Sequence, residues 1–106
     1  MSEPVVVVAT VRPRPGRLEE VVAILREVVG AVHEEPGCLL YSVNVGDDGS
    51  VVFVEKWASR EDADRHGRES AVLPVLAERA TPLLSGPPEL VVLSPRPAGD
   101  PAKGAV

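Results

Sequence analysis

Residues 39–57 read Leu39-Leu40-Tyr41-Ser42-Val43-Asn44-Val45, then Gly46-Asp47-Asp48-Gly49-Ser50, then Val51-Val52-Phe53-Val54-Glu55-Lys56-Trp57. Two apolar runs joined by an Asp/Gly-rich turn make an antiparallel hairpin. Upstream, Leu18, Val21, Val22, Leu25, Val29 and Val32 recur with the i, i+3, i+4, i+7 spacing of one helix face, while Glu19, Glu20, Arg26, Glu27 and Glu34 take the other. That helix stops at Glu35-Pro36-Gly37, where proline removes a donor and glycine permits a left-handed turn. Before it, the β-branched run Val5–Val11 reads as a strand over residues 5–12, ended by Pro13, Pro15 and Gly16. Downstream, Ser59-Arg60-Glu61-Asp62 offers a capping serine and acids for a helix over residues 60–67. The helix restarts after Ser70, with Pro74 tolerated in a first turn whose N–H groups lack partners; Leu73, Leu76, Ala77, Ala80 and Leu84 form its apolar side. Ser85-Gly86-Pro87-Pro88 breaks the chain and Glu89–Leu93 is a last short strand. The order is β-α-β-β-α-β, an α+β ferredoxin-like arrangement with both helical segments on one face of a four-stranded antiparallel sheet. Residues 1–94 form this domain, and the Pro/Gly-rich residues 95–106 are expected to be a disordered C-terminal tail.

The whole chain of 106 residues suffices for one domain. Its 44% apolar and 25% charged residues exclude the disordered and fibrous classes. A net charge of −5 supplies no basic stripe for nucleic acid. Apolar runs such as Val5–Val8 are far too short to span a membrane, and the N-terminus lacks the pattern of a secretory signal. The one cysteine, Cys38, excludes an internal disulfide framework and fits a reducing, cytoplasmic compartment.

The 20 valines carry a further message. Val5–Val8, Val51–Val54 and Leu90–Leu93 are apolar on both sides of their strands, whereas a sheet wet on one face should alternate. At ~25 cal/mol per Å², hiding roughly 500 Å² per chain is worth ~12 kcal/mol before association costs. A second copy, sheet against sheet about a two-fold axis, is the simplest cover, so a homodimer is expected.

Glu35-Pro36-Gly37-Cys38-Leu39 with Tyr41, Val54-Glu55-Lys56-Trp57, and Asp62-Ala63-Asp64 with His66 together resemble the antibiotic biosynthesis monooxygenase (ABM) domain family of the dimeric α/β-barrel superfamily. Pro15-Gly16 and Leu83-Leu84 with Gly86-Pro87-Pro88 fit as well, and the resemblance covers residues 5–95. It implies a subunit that dimerises through its sheets and keeps a cavity between sheet and helices. Some members oxidise phenolic polyketides or hydroquinones to quinones with O2 and no metal or organic cofactor; related members bind and degrade haem. The chain departs from characterised patterns at Phe53, where cofactor-free members can carry Asn, and at Ala9 and Thr10, near the Asn of the haem-degrading relatives. A third departure is Ser70-Ala71-Val72, in place of a Pro-His-Phe step.

All three aromatic residues, Tyr41, Phe53 and Trp57, belong to the hairpin. Phe53, Glu55 and Trp57 share one face, because strand side chains alternate. Trp57 either walls a cavity, stacking an aromatic ring and donating its indole N–H, or caps the core. Glu55 on a covered face would have its pKa raised by desolvation, making it a candidate base or acceptor; pairing with an arginine or a helix N-terminus is the other option. His66, at the family's histidine position, is a candidate proton acceptor or a plain surface residue. Tyr41 either bonds a substrate oxygen or packs in the core. His33 suits the C-terminal end of its helix, and Cys38, with no nearby cation, reads as a small buried residue. No metal-ligand spacing, Gly-x-Gly-x-x-Gly, P-loop or Gly-x-Ser-x-Gly occurs.

The reading is a cofactor-independent monooxygenase that oxidises a phenolic or hydroquinone-type aromatic with O2. His66, Trp57 and Glu55 are the catalytic candidates, and Tyr41 and Phe53 the substrate contacts. The alternative is a non-catalytic dimeric small-molecule-binding module; a haem-binding or haem-degrading protein is the third reading.

Overall fold

The hairpin forms as its residues dictate. In a computed structural model that describes residues 3–106, β2 (Cys38–Val45) and β3 (Val51–Trp57) pair antiparallel with Val45 opposite Val51. In the turn, Asp48 Oδ1 accepts from the backbone N–H of Ser50 at 3.0 Å and from its hydroxyl at 2.6 Å. β1 (Val5–Val11) pairs antiparallel with β3 on one side and with β4 (Glu89–Leu93) on the other, giving the order β2-β3-β1-β4. That is the expected ferredoxin-like sheet.

Helix α1 (Leu18–His33) buries Val21, Ile24, Leu25 and Val32, so Ile24 widens the expected stripe. The second helical region is two helices, α2 (Arg60–Glu69) and α3 (Val72–Arg79), divided at Ser70 as the sequence leads one to expect. Ser59 caps α2, its hydroxyl accepting from the backbone N–H of Asp62 at 3.1 Å. Gly37 has φ +79°, and a Cβ there would collide with the Asp62 carboxylate, so only glycine lets the start of β2 pass the start of α2.

The core lies between sheet and helices. On β1 and β3 the buried positions alternate: Val5, Val7, Ala9 and Val11, then Val51, Phe53, Glu55 and Trp57. Facing the other way, Val8, Val52 and Val54 are half-buried, Val91 and Leu93 are exposed, and Val6 alone is buried. Residues 95–106 carry neither helix nor strand; their turns bring the Val106 carbonyl to Lys56, whose Nζ donates to it at 2.6 Å. Among the described residues no helix is long and apolar enough to cross a membrane.

Candidate functional site

α2 is a poor filler of the space above the sheet. It has no fully buried residue and offers Ala63 and Gly67 beside His66, so no bulky apolar side chain occupies the gap. A cavity of about 570 Å³ remains. Val7, Ala9 and Phe53 form its floor, Val21 and Leu25 of α1 and Leu73 and Leu76 of α3 its walls, and Leu90 and Val92 of edge strand β4 one open side. Tyr41, Glu55 and His66 are the polar groups at the sheet end; Arg60, Asp64 and Arg68 come from α2. Such a space, apolar with a few convergent polar groups, suits a small organic ligand.

Four of the five site candidates line this cavity: Tyr41, Phe53, Glu55 and His66. Trp57 does not. Its ring is wholly buried and stacks on the His66 imidazole with centroids 4.8 Å apart and an interplanar angle of 28°. Its indole N–H donates to Glu55 Oε1 at 3.0 Å, so the partner of Glu55 is neither an arginine nor a helix end. Tyr41 meets His66 edge-on at 5.4 Å and tilts against Phe53 at 5.6 Å. The hairpin thus sets two aromatic rings against the imidazole, one stacked and one edge-on.

Burial governs the electrostatics. It pushes the Glu55 carboxyl above its ordinary value, an effect eased by the Trp57 N–H and His66 and reinforced by Glu35. Burial, with Glu55 and Glu35 nearby, drives the Tyr41 phenol far upward, so it stays a neutral hydroxyl. Burial and the charge of Glu35 also push the Cys38 thiol above its ordinary value, which disfavours its thiolate.

One group escaped the sequence reading. Glu35, seen there only as part of a helix stop and of the motif that carries the resemblance, accepts a hydrogen bond from the Ser70 hydroxyl through Oε2 and lies 2.8 Å from His66 Nδ1 through Oε1. The contact spans 31 positions, and no local pattern announces it. His33 approaches the Tyr41 backbone carbonyl through Nε2 at 2.9 Å, outside the cavity lining. Among the described residues no group of three or more His, Cys, Asp or Glu side chains could hold a metal ion.

Comparison with known proteins agrees with this architecture. The family model described as antibiotic biosynthesis monooxygenase matches residues 4–84. The Mycobacterium tuberculosis protein named "Putative monooxygenase Rv0793" is 31% identical over 96 residues, covering 90% of this chain and 94% of its own. Its solved structure superposes with a TM-score of 0.79 at 29% identity, over 92% of this chain and 100% of that one. A Synechocystis relative, "Uncharacterized protein sll1783", is 28% identical over 93 residues; this chain is matched over 86% of its length and spans 63% of that protein. A Caulobacter crescentus structure shares the fold, with a TM-score of 0.78 at 24% identity over 88% of this chain and 90% of that one.

Proposed function

We propose, from the premise that this chain belongs to the antibiotic biosynthesis monooxygenase family, that its cavity takes a flat phenolic or hydroquinone-type molecule and that the protein oxidises it with O2 to a quinone. The reading needs no metal or organic cofactor. A phenolate is electron-rich enough to pass one electron to O2, and the resulting radical pair recombines as a peroxide on the ring carbon. Loss of that carbon's proton and cleavage of the O–O bond give the quinone and water. One oxygen atom enters the ring, the other leaves in water, and the four electrons that reduce O2 come from the substrate, so a phenol becomes a quinone and a hydroquinone becomes a hydroxyquinone.

The observation that carries this reading is His66 and the buried Glu55 on one apolar cavity. His66 accepts the phenolic proton; Glu55, whose raised pKa favours its acid form, supplies a proton to the departing oxygen. Phe53 contacts the ring, Tyr41 donates to a substrate oxygen, and Trp57 holds His66 and Glu55 in place. Water exclusion protects the radical pair. Two such subunits, joined through their sheets, form the working molecule.

Oxygen uptake with a panel of hydroquinones and anthrones tests the proposal. Native protein should consume O2 with quinone formation, His66→Ala should lose activity about 100-fold or more, and Trp57→Phe should lose less. No uptake by native protein, or unchanged rates in both variants, removes the assignment. The scarcity of polar groups on the cavity wall favours a second reading, a binding module; tight binding of an aromatic ligand without turnover identifies it. A Soret shift on haem titration would instead identify a haem protein.

A further inference from the structure

We infer that Glu35 is a positioning residue that, held by Ser70, fixes the His66 ring so that Nε2 presents its lone pair to the cavity. The inference deepens the proposed function, resting on His66 as the proton acceptor there, but its geometry stands apart from any turnover.

Three constraints act on the imidazole. Trp57 stacked on one side and Tyr41 set edge-on hold the plane of the ring. Neither ring fixes which nitrogen carries the proton. Glu35 does so. Its Oε2 accepts from the Ser70 hydroxyl, and an ionised carboxylate has only acceptor oxygens, so Oε1 at 2.8 Å is an acceptor for Nδ1–H. In neutral His66 the proton therefore sits on Nδ1. The other nitrogen, Nε2, has no hydrogen-bond partner among the described residues, on a side chain that lines the cavity. An unconstrained neutral imidazole prefers the opposite tautomer, so this arrangement needs a fixed acceptor behind the ring.

Ser70 ties that acceptor to the helices. Its backbone N–H donates to the His66 carbonyl at 3.3 Å, closing α2, while its hydroxyl reaches Glu35 and accepts weakly from the Val72 N–H at 3.4 Å. The break between α2 and α3 is thereby anchored to the loop after α1, and the base is registered against both. Glu35 and His66 side chains are only 18% and 12% exposed, so water competes poorly for either partner.

Long-range 15N–1H correlation spectra of labelled protein at mildly alkaline pH read the tautomer directly, and with two histidines in the chain the assignment is short. Native His66 should be predominantly Nδ1–H. Glu35→Ala should shift the ratio toward Nε2–H by at least about tenfold, and Glu35→Gln, whose amide oxygen still accepts, should keep Nδ1–H. A native His66 protonated on Nε2, which needs no variant to detect, overturns the inference, as does a tautomer ratio unchanged in Glu35→Ala. A tautomer that shifts as expected in a protein without oxygen uptake leaves the positioning intact and removes only the oxidation.

Discussion

Glu55 occupies a strand position that apolar residues would fill more cheaply, between the buried Phe53 and Trp57, and at 4% exposure it keeps one hydrogen bond among the described residues, from Trp57. A carboxyl whose folded pKa lies above its unfolded value binds its proton more tightly in the folded state. Its contribution to stability is therefore full below the unfolded value, near pH 4.5, and is lost as pH rises through the folded one. Glu55→Gln removes that loss while its amide oxygen can still accept from the indole. In urea unfolding the variant should gain on native protein between pH 4 and pH 7; a difference that is flat or of opposite sign over that range contradicts the buried-acid picture. Period-two alternation made the Phe53–Glu55–Trp57 grouping legible in sequence. That Trp57 stacks on His66 without lining the cavity, and that Glu35 and Ser70 contact one another beside His66, was not legible, because those relations depend on how α2 is rotated over the sheet.

The elements owe their placement to a few local devices. Gly37 and Gly49 both have positive φ, +79° and +82°, but only Gly37 also faces an obstacle, the Asp62 carboxylate; around Gly49 there is open space. Gly49→Ala should cost about 1 kcal/mol, the backbone penalty alone. Gly37→Ala should cost about 2 kcal/mol or more, because Asp62 must also abandon its contacts with Ser59 and Arg65, at 2.9 Å each. Equal midpoint shifts in chemical denaturation would show that the obstacle yields freely. Such devices are why most element boundaries were legible: the hairpin turn, the Ser59 cap and the Ser70 break are each written in neighbouring residues. Ile24 was missed because a helix that contacts both the sheet and α3 buries a broader stripe than the strict spacing marks. The cavity, by contrast, arises from what α2 lacks, and a run of polar and small residues gives no sign of the space left beneath it.

For the whole molecule, the sheet is the dividing wall. One side meets the helices and the cavity; across the other run Val8, Val54 and Val91 in register on three adjacent strands, with Leu93 beside Val6. Val91 and Leu93 remain 54% and 44% exposed in the single chain, and apolar area of this kind on a strand row invites association. A two-fold pairing through this wall would set Val8 near the centre of the interface. Val8→Asp would then bury one uncompensated charge per subunit, at about 3 kcal/mol each, weakening a dimer by about four orders of magnitude. Sedimentation at micromolar concentration should find native protein dimeric and Val8→Asp monomeric. Because Val8 points away from the cavity, whose floor is Val7 and Ala9, the variant should still bind any ligand that the native cavity binds. A native protein that sediments as a monomer would leave the valine-rich face without a partner and the homodimer without support. A dimer indifferent to Val8→Asp would mean that the subunits meet elsewhere, with the exposed β4 edge at Leu90 and Val92 as the next surface to probe.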